Sequence, residues 1–79
     1  MLTELERGSR VVGAKQVRRA LADGRARTIY LAKDADPALT EALAAMAETN
    51  SVPVCWTEHM RELGRACGIA VGAAVAASV

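Results

Sequence analysis

The chain has 79 residues, which is enough for one small domain and leaves no room for a second core. Its apolar fraction of 52% predicts a packed core built mainly from small side chains, because the chain has one Trp, one Tyr and no Phe. The net charge of +1 excludes a protein that is basic or acidic throughout.

The charges are nevertheless unevenly distributed along the chain. Residues 7–33 contain eight basic side chains and one acidic side chain, whereas residues 34–62 contain six acidic and one basic. The first stretch could face a polyanion such as nucleic acid, and the second would repel one. Solvated helix faces would explain the same pattern, so charge alone leaves both interpretations open.

The first half of the chain alternates between predicted helices and strands. Leu2–Gly8 is expected to form a short helix, and Val11–Val12 a short strand that Gly13 ends. Ala14–Asp23 carries apolar side chains at helical spacing and predicts an amphipathic second helix. Thr28–Ala32 is rich in strand-forming residues and predicts the second strand.

The next helix has a clear start signal. Asp36 is placed to cap it and Pro37 to occupy its first position, and the helix should continue to about residue 49. Val52–Trp56 predicts the third strand. Pro53 cannot donate a ladder hydrogen bond, so this strand should lie at an edge of the sheet.

The last part of the chain predicts one more helix and one more strand. Thr57 is expected to cap a helix that runs to about Arg65. Gly64, Gly68 and Gly72 are interpreted as a loop that permits close approach of nucleic acid or of another segment. Residues 73–78 have no charged side chain, which predicts a strand buried on both faces. The alternation of helix and strand over residues 1–79 predicts a single α/β sandwich domain.

An enzyme or a metal site has little support in the sequence. His59 is the one histidine, and with Cys55 and Cys67 it makes three ligands where a structural zinc site usually has four. A Cys–His nucleophile is the alternative, although both thiols lie in apolar segments where free cysteine behaves as a small hydrophobe. We therefore expect no enzyme, no metal and no cofactor.

The sequence also bears on the location of the protein. Two cysteines are too few for a disulfide framework, which favours reduced thiols and a cytoplasmic protein. Residues 1–10 lack the apolar segment of a secretory signal, and the uncharged run of residues 68–79 is shorter than the roughly 20 residues that cross a bilayer. We expect no contact with a membrane.

The start of the second helix carries the strongest binding signal. Gly13-Ala14-Lys15-Gln16 places an ammonium group and an amide at a helix N-terminus, and two arginines follow them. A helix N-terminus favours anionic groups, and Lys and Gln can both pair with base edges. With two aromatic residues in the chain, a base-stacking platform is not expected.

Three segments resemble the kink-turn-binding ribosomal protein family named after L-seven-Ae, and most closely its small bacterial branch. They are residues 13–17, 31–37 and 62–74, so that with their intervals the resemblance spans residues 8–79. The third segment, which contains Glu62-Leu63-Gly64-Arg65, is the most specific. The resemblance implies a three-layer α/β/α sandwich with a four-stranded mixed sheet in the order 1-4-2-3.

The resemblance also implies a function and the residues that perform it. Members of the family bind sharply kinked RNA with tandem sheared G·A pairs, which they read from the start of the second helix, while an apolar loop covers an extruded nucleotide. The corresponding RNA-binding residues here are Gly13, Ala14, Lys15, Gln16, Arg19, Lys33, Asp34, Cys67, Gly68, Ile69, Ala70 and Val71. Arg19 would contact phosphate, and the last five residues would form the loop.

One position departs from the archaeal pattern, which has Asn and Glu where this chain has Lys15 and Gln16. The bacterial relatives share the Lys-Gln pair. Losing the carboxylate removes an acceptor for guanine N–H groups, so the G·A readout is expected to differ. The overall expectation is a monomer that binds ribosomal or regulatory RNA. The alternative is a protein-interaction module on the same fold, with the acidic helix of residues 37–48 as its surface.

Overall fold

A computed structural model describes residues 2–79, so that of the predicted domain only Met1 lies outside the described residues. Helices and strands alternate along the chain as predicted. The elements are α1 (Thr3–Arg7), β1 (Arg10–Val12), α2 (Ala14–Ala22), β2 (Thr28–Ala32), α3 (Pro37–Thr49), β3 (Val54–Thr57), α4 (Met60–Ala66) and β4 (Val75–Ser78).

The four strands form one mixed sheet in the order β1-β4-β2-β3. β2 and β3 are parallel, and β4 runs antiparallel to both β1 and β2. All four residues of β4 are buried, which confirms that this uncharged strand is interior. β3 lies at an edge, as Pro53 predicted. Pro53 directly precedes the strand, and its carbonyl accepts a hydrogen bond from the N–H of Ile29 at 2.9 Å.

The helices cover the two faces of the sheet and give the three-layer α/β/α sandwich that was predicted. Leu5 of α1 and Leu63 of α4 pack with Tyr30 on one face. Val17 and Leu21 of α2 pack with Leu43 of α3 on the other face. Side chains of β2 alternate between these two cores, as the two-residue period of a strand requires.

α3 begins as predicted, and its Leu43 and Ala47 are buried in the core. The carboxylate of Asp36 accepts a hydrogen bond from the N–H of Ala38 at 3.0 Å, and Pro37 occupies the first turn. Ala42 is exposed, whereas Thr40 is buried. The Thr40 hydroxyl lies 3.5 Å from the carbonyl oxygens of Asp36 and Pro37, so a bond within the helix satisfies it and permits its burial.

The predicted cap of α4 is wrong. Thr57 is the last residue of β3 and is buried, and the helix begins three residues later, at Met60. The N–H of Met60 instead donates to the carboxylate of Asp34, 26 residues earlier in the chain, at 2.8 Å. A cap supplied from the turn after β2 cannot be recognised in the local sequence around the helix.

The interpretation of the glycines as one loop is partly wrong as well. Gly64 lies inside α4 and is buried, while Gly68 and Gly72 follow the helix. A Cβ atom on Gly64 would lie 2.1 Å from the carbonyl oxygen of Val71, and one on Gly72 would lie 3.1 Å from the Cβ of Met60. These two glycines permit a segment of the same chain to pack against α4.

Candidate functional site

The predicted site residues gather at one end of the sheet. The N–H of Gly13 donates to the carbonyl of Val75 at 3.1 Å, which joins the end of β1 to the start of β4. The N–H of Ala32 donates to the carbonyl of Ala74 at 3.0 Å, which joins the end of β2 to the same segment. The start of α2, the residues after β2 and the residues before β4 therefore lie side by side.

Gly13 sets the direction in which α2 leaves the sheet. Its φ of 99° falls in a region that side-chain-bearing residues rarely adopt, so the turn from β1 into α2 requires glycine. Its carbonyl accepts the N–H of Val17 and closes the first turn of the helix. The three N–H groups of residues 14–16 precede that bond, and none of them has a partner within residues 2–79. They are available to an outside acceptor.

The side chains at this helix start are basic and accessible. Lys15 and Gln16 are exposed and Ala14 is half-buried. Arg19 lies one turn after Lys15 on the same face of α2 and is also exposed. The first turn of α2 contains no acidic residue. The free N–H groups, the helix dipole and these cations together produce a surface that attracts anions.

Lys33 and Asp34 lie at the same end of the sheet but are engaged within the protein. The Nζ of Lys33 lies 3.2 Å from the Oε2 of Glu58 in an exposed ion pair. The two oxygens of Asp34 face the N–H of Met60 and, at 3.6 Å, the Nδ1 of His59. An exposed ion pair contributes little and can reorganise, so Lys33 remains accessible, whereas Asp34 has a structural role.

The loop after α4 runs back along that helix toward the site. The N–H of Ile69 donates to the carbonyl of Gly64 at 3.1 Å, and the N–H of Ala73 donates to the carbonyl of Met60 at 2.9 Å. These bonds and the glycine contacts hold the loop close to α4. Ile69 and Val71 remain 38% and 71% exposed, so the loop presents an apolar surface.

Cys67, which was predicted among the contacting loop residues, does not share that exposure. It is the C-cap of α4, 4% exposed, and packs in the core with Leu5 and Leu63. Burial raises the pKa of its thiol, and the nearby Arg10 guanidinium lowers that pKa by less. The exposed part of the loop is therefore residues 68–71.

Arg10 is a residue of this region that the sequence did not reveal. Its Nε donates to the carbonyl of Cys67 at 3.0 Å, which ties β1 to the end of α4 across 57 residues of chain. Gly68, with a φ of 76°, turns the chain at this point, and a Cβ atom there would lie 3.2 Å from the Arg10 guanidinium. No local pattern could have indicated a contact over that distance in sequence.

The described residues provide neither a metal site nor a membrane-spanning helix. Within residues 2–79, no group of three or more His, Cys, Asp or Glu side chains is placed to hold a metal ion, so Cys55, His59 and Cys67 do not form a cluster. Cys55 is half-buried and Cys67 buried, and both are free thiols. Among the described helices, none has the length and apolar character needed to cross a membrane.

Comparison with known proteins identifies the family. The model of the ribosomal protein L7Ae/L30e/S12e/Gadd45 family matches residues 2–79. The chain belongs to this family. The resemblance found in the three sequence segments is thus confirmed over nearly the whole chain.

Bacterial members of the family are similar in sequence over almost their full length. An RNA-binding protein of Geobacillus sp. (strain WCH70) is 43% identical over 75 residues, which cover 95% of this chain and 92% of the relative. The RNA-binding protein YbxF of Geobacillus stearothermophilus is 44% identical over 73 residues, covering 92% of this chain and 89% of YbxF.

Solved structures support the fold. The 15.5kD RNA binding protein of Giardia lamblia superimposes with a TM-score of 0.90 at 28% identity, covering 98% of this chain and 68% of that one. A protein of unknown function from Bacillus halodurans superimposes with a TM-score of 0.87 at 23% identity, covering 98% of this chain and 81% of that one. The second likeness concerns the fold alone.

Proposed function

We propose that this family member binds kink-turn RNA as a ribosomal or ribosome-associated protein, acting as a cytoplasmic monomer. The observation that carries the proposal is the convergence, at one end of the sheet, of the basic start of α2 and the apolar loop of residues 68–71. The names of the bacterial and Giardia relatives support RNA as the ligand.

The start of α2 has the chemistry that base recognition needs. Lys15 can donate to guanine O6 and N7, and the Gln16 amide can both donate to and accept from a base edge. Arg19, one turn further along, is placed for a backbone phosphate. The free N–H groups of residues 14–16 can bind another anionic oxygen.

The loop supplies a different contact. Ile69 and Val71 expose apolar side chains that an unstacked base can cover, which removes apolar surface from water on both sides. Lys33 can exchange Glu58 for phosphate at small cost because their ion pair is exposed. α2 would read the tandem G·A pairs, and the loop would cover an extruded nucleotide. Together these two contacts would select a kinked RNA over a straight duplex.

The test is a titration of the protein with a duplex that contains a three-nucleotide bulge followed by tandem G·A pairs. The control is the same duplex with G·C pairs in place of G·A. We expect binding that is at least about tenfold tighter to the kink-turn, since each base contact contributes roughly 1–3 kcal/mol. Equal affinity for the two duplexes contradicts kink-turn recognition and leaves general RNA binding.

Salt dependence checks how many phosphates are contacted. Arg18, Arg19, Arg25 and Arg27 are exposed at several positions around and beyond α2, so they cannot all face one RNA. We expect a slope of log K against log salt that corresponds to roughly three to five neutralised phosphates, at about 0.9 per phosphate in a duplex. A slope near zero contradicts RNA binding itself. Cosedimentation with ribosomal particles on sucrose gradients tests the ribosomal association.

A further inference from the structure

The outer edge of β3 has unpaired backbone groups. The carbonyls of Pro53 and Thr57 accept hydrogen bonds from β2, at 2.9 and 2.8 Å. Because successive residues of a strand point their backbone groups to opposite sides, the N–H and C=O groups of Val54 and Trp56 point away from β2. None of these four groups has a partner within residues 2–79, and such an edge can pair with another extended chain.

A cleft of about 360 Å³ lies beside this edge, where β3 meets α1 and α4. It is lined by Leu2, Cys55, Trp56, Thr57, Glu58 and Glu62. Trp56 is 40% exposed, which is unusual for the largest aromatic side chain of a chain with so few aromatics. The charged residues of the lining are both glutamates. Trp56 pairs with Leu31, whose side chain packs on the face covered by α2 and α3, whereas Cys55 packs on the face covered by α1 and α4, so the indole flanks the edge on the side opposite α4.

Thr57 supplies an independent sign of an incomplete site. Thr57 is 6% exposed and lines the cleft, and its Oγ1 is buried without a hydrogen-bond partner in the described chain. Buried polar atoms are normally satisfied, so an orphaned hydroxyl beside a cleft indicates a missing partner.

We propose that this edge and cleft bind an extended basic segment of a partner protein. The segment adds a strand to β3 through the outward groups of Val54 and Trp56. Alternate residues of the added strand face opposite sides of the sheet, so one residue of the segment covers the Trp56 indole on the side of α3. An arginine next to it donates to the carboxylates of Glu58 and Glu62 on the side of α4. Its guanidinium replaces Lys33 as the partner of Glu58, in an ion pair that is exposed and therefore easily exchanged.

Charge decides between this partner and two others. RNA phosphates would be repelled by Glu58 and Glu62, and the cleft has no cation of its own in its lining. A second copy of the chain paired edge to edge would bring its own glutamates against these two. A basic peptide meets complementary charge, an aromatic surface for the side chains between its arginines and free backbone groups for its main chain.

Apart from the Lys33–Glu58 ion pair, whose two partners are assigned to different ligands, the proposed peptide surface is separate from the proposed RNA surface. β3 lies at one end of the strand order, whereas α2 departs from β1 at the other end, and the loop of residues 68–71 precedes β4. The two ligands can therefore bind together, and a failure of one proposal does not imply a failure of the other.

The experiment uses ¹⁵N-labelled full-length protein and an eight-residue synthetic peptide in which arginine and threonine alternate. We expect the largest chemical-shift changes at the amides of Val54 and Trp56 and at the Trp56 indole N–H. Two control peptides isolate the contributions: one carries glutamate in place of arginine, and one keeps its arginines but has N-methylated alternate residues that cannot pair with β3. Both should bind at least about tenfold more weakly.

Protein variants provide the second arm. Trp56→Ala and Glu62→Lys should each weaken peptide binding about fivefold or more, with circular dichroism confirming that each variant is folded. Glu48→Lys makes the same charge change on exposed α3 and should leave binding within about twofold. Equal binding of the glutamate peptide, or shifts centred away from β3, overturns the proposal.

The same variants distinguish the competing occupants. If Trp56→Ala and Glu62→Lys leave kink-turn RNA affinity unchanged while peptide binding falls, the surface is a peptide site. If Trp56→Ala lowers RNA affinity instead, the surface belongs to RNA recognition and the proposal is wrong. If sedimentation shows dimers that Trp56→Ala dissolves and the peptide does not bind, the edge pairs with a second copy and the proposal is likewise wrong.

Discussion

The carboxylate of Asp34 accepts a hydrogen bond from the backbone N–H of Met60, with 2.8 Å between Oδ1 and N. This bond links the residues that follow β2 to the first residue of α4. The carbonyl of Met60 in turn accepts a hydrogen bond from the N–H of Ala73, and Met60 packs against Gly72. The same residue therefore fixes the end of the apolar loop. Asp34 therefore acts on the candidate RNA surface through α4.

The capping role of Asp34 predicts that the Asp34→Ala variant is less stable than the Asp34→Asn variant. Asp34→Ala should lower the free energy of unfolding by about 1 kcal/mol, because the N–H of Met60 loses its acceptor. Asp34→Asn keeps an acceptor oxygen and should recover most of that loss. Urea unfolding curves measure both. If the Asn variant were as unstable as the Ala variant, capping would not be the role of this carboxylate.

Gly64→Ala should displace the loop. The new methyl group would lie 2.1 Å from the carbonyl oxygen of Val71 and 3.0 Å from the Cα of Gly72, so backbone must move. We expect a loss of about 1–3 kcal/mol in unfolding free energy and weaker kink-turn binding. Calorimetric titration with the RNA measures the second effect.

Gly24→Ala is the matched control for Gly64→Ala. Gly24 has a φ of 71° and open space around it, so alanine there is strained by roughly 1–2 kcal/mol without touching the loop. It should lower stability and leave RNA affinity unchanged. Equal loss of affinity in both variants would mean that reduced stability, and not the position of the loop, controls binding.

Lys15→Ala and Gln16→Ala should each weaken kink-turn binding by roughly 1–3 kcal/mol, about 5- to 150-fold. Both side chains are exposed, so the unfolding free energy should change by no more than about 0.5 kcal/mol. Arg25→Ala is the control, since Arg25 follows the far end of α2 and pairs with Asp23 at 3.4 Å. An affinity that is unchanged in both site variants would contradict the role proposed for the start of α2.

The sequence predicts much of this fold because its signals are local. Asp36 and Pro37 mark the start of α3, Pro53 assigns β3 to an edge, and the uncharged run before residue 79 identifies the interior strand. Each of these signals depends on a few neighbouring residues whose backbone requirements are the same in any context. The resemblance to the family supplied the strand order, which the structure confirms.

The errors concern contacts between residues distant in sequence. Asp34 caps α4 from 26 residues away, and Arg10 donates a hydrogen bond to the carbonyl of Cys67, 57 residues later in the chain. Gly64 was interpreted as loop because glycine is costly in a helix, yet the approach of Val71 requires it there. Local propensity contains no information about such contacts, which tertiary packing alone determines.

Glu4 should make folding stability depend on pH. The hydroxyl of buried Ser78 donates to its carboxylate, and this bond lowers the pKa of Glu4, with burial opposing and Thr28 and Arg27 assisting. A lowered pKa in the folded state gives stabilisation that is full above the ordinary glutamate pKa and is lost as pH falls through the lowered pKa.

The variant Glu4→Gln should remove that dependence. Thermal unfolding midpoints of the two proteins should differ most at neutral pH and converge as the solution is acidified through the pKa of Glu4 in the folded protein. Ser78→Ala removes the donor and should flatten the pH dependence in the same way. A difference between wild type and Glu4→Gln that persists unchanged in acid would exclude this linkage.

Cys67 and Ile69 lie two residues apart and should respond in opposite ways to substitution. Cys67 is buried and its thiol pKa is raised by burial, so native protein should resist alkylation there at neutral pH. Cys67→Ala removes a small apolar volume and should cost about 1 kcal/mol of stability with RNA affinity retained. Ile69→Asp places a negative charge on an exposed loop and should weaken kink-turn binding on the order of tenfold.

The comparison is internal, because both variants are checked for folding by circular dichroism and titrated with the same RNA. Mass spectrometry after iodoacetamide treatment reports the reactivity of Cys67 separately from that of Cys55. If Cys67→Ala abolished binding while Ile69→Asp retained it, thiol chemistry would matter and the loop would not be a contact surface. The expected result follows from geometry, since the Cys67 side chain points into the core and that of Ile69 remains accessible to a ligand.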